Sequence, residues 1–152
     1  LAKDFTYIQI TGQEFKGRKE LNIFDINNLP NTSVNMSMKN INRRLIKKQL
    51  IILGNLLLEK YKSVALRNAC TYEAGDYMGW HTNVSKAGKR IYLIWAQEDD
   101  KSHFDYIVNG ELNTLSDKKG WQVNEFTIPD DGVFPHQVRS ETNRICFGFL
   151  VS

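Results

Sequence analysis

The sequence predicts a mainly β protein, a jelly roll preceded by an N-terminal strand and one long helix. Three observations lead there. From residue 64 onward, short runs rich in β-branched and aromatic residues alternate with turn signals. Upstream of them, one stretch carries apolar residues at helical spacing. The chain has 152 residues, 41% of them hydrophobic and 24% charged, which is enough to bury one core and excludes disordered and collagenous classes.

Phe5-Thr6-Tyr7-Ile8-Gln9-Ile10 reads as a strand, and Asn27 to Ser37, with Leu29-Pro30-Asn31-Thr32, as a loop. Ile41, Leu45, Ile52 and Leu56 then recur with helical spacing, and Ile46, Leu50, Leu53 and Leu57 form a second stripe beside them. Together they predict a helix over residues 39–62, kinked near Gly54, with an apolar face broad enough to pack on a sheet. The runs at 64–72, 78–83, 89–97, 103–108, 111–115, 121–128, 133–139 and 144–151 read as strands. Asn109-Gly110 marks a hairpin, because a type I′ turn needs positive φ at both central positions. Lys119-Gly120 and Asp131-Gly132 punctuate later boundaries. Eight short strands suggest a double-sheet unit, of which the jelly roll is the leading example, with the helix covering one face. Residues 1–152 thus read as one domain, with 1–63 a strand and helix layer and 64–152 the β core.

The longest apolar run, Leu50 to Leu58, is broken by Gly54 and Asn55 and falls short of the ~18 residues of a spanning helix. The N-terminus shows no signal-peptide pattern, so a cytoplasmic protein without a membrane segment is the expectation. Cys70 and Cys146 cannot build a cysteine zinc site; they read as free buried thiols of a reducing compartment rather than as a disulfide. Any histidine-based metal site must draw on His81, His103 and His136.

The net charge of +3 is unevenly spread. Residues 1–64 carry 11 basic against 5 acidic side chains, and residues 65–152 carry 9 against 12. Lys39, Arg43, Arg44, Lys47, Lys48, Lys60 and Lys62 surround the helical pattern. No aromatic residues interleave them, so they read as the solvated face of an amphipathic helix rather than as a nucleic-acid surface.

Chemistry concentrates in Tyr72-Glu73-Ala74-Gly75-Asp76-Tyr77-Met78-Gly79-Trp80-His81-Thr82-Asn83. Residues i and i+2 of a strand share a face, so His81 and Asn83 can present an imidazole and an amide oxygen to one point. Phe134-Pro135-His136-Gln137-Val138 follows much later, and Arg144 stands eight residues beyond His136. Two imidazoles and one oxygen ligand with open positions suit a non-haem Fe(II). A guanidinium in the same barrel suits bidentate capture of a small dicarboxylate.

On these residues the sequence resembles the Fe(II)/2-oxoglutarate-dependent dioxygenases, within them the small prolyl-hydroxylase-like branch. The resemblance covers roughly residues 64–152 and implies a double-stranded β-helix. It implies Fe(II) on His81, Asn83 and His136, with 2-oxoglutarate as cosubstrate paired to Arg144, O₂ as oxidant and ascorbate as an accessory reductant. It also places the Tyr72 hydroxyl near 2-oxoglutarate and lines the pocket with Leu93 and Trp95 of the next strand. Val138, Cys146 and Gly148 share an inward face with His136 and Arg144. The implied activity is hydroxylation of an amino-acid side chain, proline or another residue, in a protein, a peptide or a free amino acid, with release of succinate and CO₂.

One position departs from the family pattern, which has an aspartate where this chain has Asn83. An amide brings a dipole where a carboxylate brings a charge, so metal affinity should fall. Either the dianionic cosubstrate supplies the missing charge, or the barrel is a non-catalytic binding module. Asn is too large for the halide site of halogenating relatives. A cupin-like metal enzyme is a further alternative: Gly132-Val133-Phe134-Pro135-His136 with Asn143 is faintly similar to the second cupin motif, but the paired histidines of the first are absent. His103-Phe104-Asp105 also reads His-x-Asp, yet only 32 residues separate His103 from His136, too few for four strands, against 54 from His81. Trp80, Trp95 and Trp121 read as core before entrance.

Overall fold

A computed structural model describes residues 36–82 and 87–152. The expected strand over Phe5–Ile10 and the expected ligand Asn83 lie outside the described residues, as does the predicted loop apart from Met36 and Ser37.

The first described element, β1 (Lys39–Asn40), pairs with the end of β2. Asn42 then caps a 3₁₀ turn (Arg43–Ile46) by accepting from the Arg44 N–H at 3.1 Å. The turn runs into α1 (Lys47–Leu58), which is shorter at both ends than the predicted helix and passes through Gly54 without a break. The missing Cβ costs about 1 kcal/mol, which packing against the sheet outweighs. Only one of the two apolar stripes is covered. Ile46, Leu53 and Leu57 are buried with Leu50 beside them, whereas Leu45 is 80% and Ile52 43% exposed. The seven basic side chains around the helix are all exposed. Among the described residues no helix is long and apolar enough to cross a membrane.

Eight strands follow: β2 (Val64–Tyr72), β3 (Tyr77–His81), β4 (Gly88–Ala96), β5 (Ser102–Val108), β6 (Glu111–Ser116), β7 (Gly120–Ile128), β8 (His136–Ser140) and β9 (Arg144–Val151). They form two antiparallel sheets in the orders β1-β2-β9-β4-β7 and β3-β8-β5-β6. Apart from the β5–β6 hairpin, these eight strands alternate between the sheets, and β9 lies beside β2, which is the double Greek key of a jelly roll. The β5–β6 hairpin turns at Asn109 and Gly110, with φ of 52° and 76°, as the type I′ reading requires.

The central strands β4 and β9 of the larger sheet are buried on both faces. Ile91, Leu93, Phe147, Phe149 and Val151 pack under α1, while Cys70, Tyr72, Tyr92, Ile94, Val138 and Cys146 fill the space between the sheets with Phe104, Ile128 and Phe134. A register shift between Leu66 and Asn68 in the β2–β9 ladder lets Val64 and Leu66 join Ala69 on the helix side while Cys70 and Tyr72 turn inward.

Candidate active site

The two expected histidine ligands meet. His81 ends β3, His136 opens β8, and the two are directly paired across the ladder, with ring centroids 4.1 Å apart. Each Nδ1 lies against the carbonyl two residues back, His81 on Gly79 at 2.7 Å and His136 on Phe134 at 2.6 Å. A carbonyl only accepts, so each Nδ1 carries the proton and donates it. Each Nε2 then holds the lone pair that a metal would take. His136 is buried among the rings of Phe104, Phe126 and Phe134, at centroid distances of 5.4, 6.2 and 5.3 Å. Burial first, then the neighbouring His81, pushes its pKa down to about 3. Burial likewise lowers that of His81. Both rings are therefore neutral at ordinary pH, the form that ligates.

Arg144, the first residue of β9, is fully buried. Its Nε donates to Asp117 Oδ2 at 2.8 Å, and its guanidinium lies 5.0 Å from the ring centre of Tyr72, its direct partner on β2. Asp117 also accepts from the Ser102 hydroxyl at 2.5 Å. Burial works against the guanidinium charge, but Asp117 outweighs it and raises the pKa of Arg144 above its ordinary value. Burial, reinforced by Cys70, raises that of Tyr72 well above the usual phenol range, so its hydroxyl keeps its proton. The Arg144 Nη1 and Nη2 atoms are buried without a hydrogen-bond partner among the described residues. Two parallel unmet donors on a planar fork match one carboxylate.

Val138 lies in the inter-sheet cluster with Tyr72 and Cys146, as expected. Leu93 and Trp95 do not line this space. Leu93 pairs with Phe147, and Trp95 packs against the same cluster under α1. The inward positions of β4 are Tyr92 and Ile94, with Arg90 on the same face. The reversal has a simple cause: a strand buried on both faces shows no apolar/polar alternation to orient it.

Asp117 and Arg90 are the two charged residues that sequence reasoning missed. Asp117 sits in a Ser-Asp-Lys-Lys-Gly turn, where an acid reads as a turn residue. Arg90 is buried directly opposite Phe126, whose ring packs on His136, and its cation helps depress the pKa of His136. Inward-facing arginine was concealed by its neighbour Lys89, which pairs with Glu125 at the surface.

His103 stays outside the site. It bonds to the Ser116 hydroxyl across the hairpin at 2.9 Å. Asp105 is not the plain surface residue its position suggests. It is buried on that sheet, accepting from Arg139 at 2.8 Å, Gln137 at 2.8 Å and Thr114 at 2.6 Å. Trp121 stacks on Phe147 in the helix-side core.

Among the described residues no three His, Cys, Asp or Glu side chains converge as a metal cluster. Two imidazoles with proton-bearing Nδ1 atoms, together with the unmet Arg144 fork, nonetheless fit a metal and a carboxylate cosubstrate. No protein-family model matches the chain, and no curated protein does. Among solved structures it is similar to an oxidoreductase of the 2OG-Fe(II) oxygenase family from Burkholderia pseudomallei, at 13% identity and a TM-score of 0.49, over 77% of this chain and 65% of that one. It is also similar to a prolyl-4-hydroxylase from Pseudomonas putida, at 10% identity and a TM-score of 0.43, over 78% of this chain and 71% of that one.

Proposed function

We propose that the protein is an Fe(II)- and 2-oxoglutarate-dependent oxygenase that hydroxylates an amino-acid side chain. The observation that carries this reading is the pairing of His81 with His136, both neutral and tied at Nδ1, in the same inter-sheet interior as a buried arginine with two unmet donors.

His81 and His136 would hold the metal through Nε2, with the Asn83 side-chain oxygen as third ligand. Fe(II), when bound, would supply the oxidising chemistry, hydroxylation of a substrate C–H bond with O₂ coupled to decarboxylation of 2-oxoglutarate to succinate and CO₂. Every other task falls to the chain. Arg144 binds the far carboxylate of the cosubstrate with its Nη pair, and Asp117 keeps the guanidinium plane fixed from the Nε side. Tyr72 stays protonated and donates a hydrogen bond to the cosubstrate. Phe104, Phe126, Phe134 and Val138 exclude water, which strengthens the ion pair by lowering the local dielectric. Arg90 adds a second cation to the interior, which favours anionic groups there.

The test is 2-oxoglutarate turnover with Fe(II) and O₂. Succinate release that disappears in Arg144→Ala, with 2-oxoglutarate binding by the wild type, supports the reading. No succinate and no 2-oxoglutarate binding by the wild type sinks it. A non-catalytic barrel is the second reading, favoured by the amide at position 83; it keeps 2-oxoglutarate binding without succinate release.

A further inference from the structure

Two nucleophilic side chains lie in this interior without a part in the chemistry above. Cys70 of β2 and Cys146 of β9 are direct partners across the antiparallel ladder. Both are free thiols, both belong to the inter-sheet cluster, and they are 0% and 2% exposed. Directly opposed residues on antiparallel strands have Cα atoms about 4.5–5.5 Å apart, inside the roughly 4.4–6.8 Å range that a disulfide spans. The next inward pair along the same two strands is Tyr72 opposite Arg144. The two pairs form one block, so whatever moves the thiols is felt by the guanidinium and the phenol.

The thiols are chemically unequal. A hydrogen bond from Cys146, helped by the charge of Arg144, lowers the pKa of Cys70 against the opposing effect of burial. The same hydrogen bond and burial raise that of Cys146 well above the ordinary range. One sulfur is thus set up to attack and its neighbour to resolve, the division of labour in a reactive dithiol.

We propose that Cys70 and Cys146 form a redox-active dithiol that closes to a disulfide with a peroxide and thereby weakens cosubstrate binding at Arg144. The effect on the cosubstrate rests on the oxygenase reading; the disulfide itself does not. The Cys70 thiolate attacks one peroxide oxygen, the O–O bond breaks, hydroxide leaves, and Cys70 becomes a sulfenic acid. The Cys146 sulfur then displaces the hydroxyl, its proton leaving with that oxygen as water, and the S–S bond forms. Two thiols lose two electrons and the peroxide is reduced to two waters. Closure removes both ionisable sulfurs beside Arg144, leaves a neutral bridge there and locks the two strands at that point.

The experiment treats reduced wild-type protein with hydrogen peroxide and counts thiols after denaturation. Both thiols should disappear together in the monomer, with the loss of two hydrogens by intact mass and an unchanged far-ultraviolet circular dichroism spectrum. Affinity for 2-oxoglutarate, measured by calorimetry with Mn(II) in place of iron, should fall about tenfold, in the usual range of coupling between sites, and return with dithiothreitol. Cys146→Ser should stop at a Cys70 sulfenic acid that a dimedone probe captures. Two thiols that survive peroxide in the folded protein overturn the proposal, and so does a disulfide that leaves the affinity unchanged. If the reduced protein binds no 2-oxoglutarate at all, the oxygenase reading and the coupling fall together, while the thiol count still decides the dithiol.

Discussion

Arg144 and Asp117 form an ion pair at 2.8 Å in which neither side chain is more than 1% exposed. The two residues are 27 positions apart, one opening the last strand and the other in the turn before β7. Asp117 thus holds the guanidinium from its Nε side and leaves the Nη fork for another acceptor.

Asp117→Asn should therefore destabilise the fold by about 3–5 kcal/mol, since it strands a buried cation. Urea unfolding monitored by tryptophan fluorescence measures this. A loss below about 1 kcal/mol, as at a surface pair, would contradict the buried pairing.

A Cβ at position 148 would lie 2.8 Å from the Tyr92 ring and 3.3 Å from Asn68 Cβ. Both neighbours sit on flanking strands, so Gly148→Ala should cost about 1–3 kcal/mol by overpacking. A thermal midpoint equal to that of the wild type would show that the Tyr92 ring yields freely.

In the unfolded chain the imidazoles titrate at about 6.5, whereas burial lowers His81 and, with His81 as neighbour, takes His136 to about 3. Between those values the unfolded state binds more protons. Stability is complete above about pH 6.5 and is lost as pH falls below it. Melting of metal-free protein in chelator should show this slope, and His136→Asn should flatten it. Parallel slopes for the two proteins would exclude His136 as the source.

Leu93 packs under α1 rather than beside the histidines. Leu93→Ala should cost about 2–5 kcal/mol through the cavity it leaves and should not change 2-oxoglutarate affinity. Val138→Ala, in the inter-sheet cluster, should change both. Equal effects of the two substitutions on affinity would break the distinction between the layers.

Introducing a carboxylate with Asn83→Asp should tighten Mn(II) or Fe(II) binding at least about tenfold if residue 83 is a ligand, because a charged oxygen replaces a dipole at a hard cation. In a working site succinate release rises with it. Unchanged metal affinity would remove Asn83 from the ligand set.

Much of the fold was legible because local chemistry writes it. The hairpin at Asn109-Gly110 rests on a backbone demand that two adjacent residues meet, and strand runs such as 64–72 and 144–151 end where turn residues end them. The run expected from residue 133 begins only at His136, since Pro135 has no N–H to offer a ladder. The helix was overextended because charges and apolar stripes continue past Asn42 and Leu58, while Lys39 and Asn40 find a strand partner in β2 and the Lys62 N–H a carbonyl in Ser152.

By itself, the sequence marked the strand succession from residue 64 onward through residue type and turn signals, while His81, His136 and Arg144 were singled out by the family pattern they resemble. Only the tertiary structure decided which face of β4 looks inward, that Asp117 holds Arg144, and that Cys70 faces Cys146. A strand buried on both sides carries no alternation to mark its faces, and partners 27 or 76 residues apart meet only when the sheets pair.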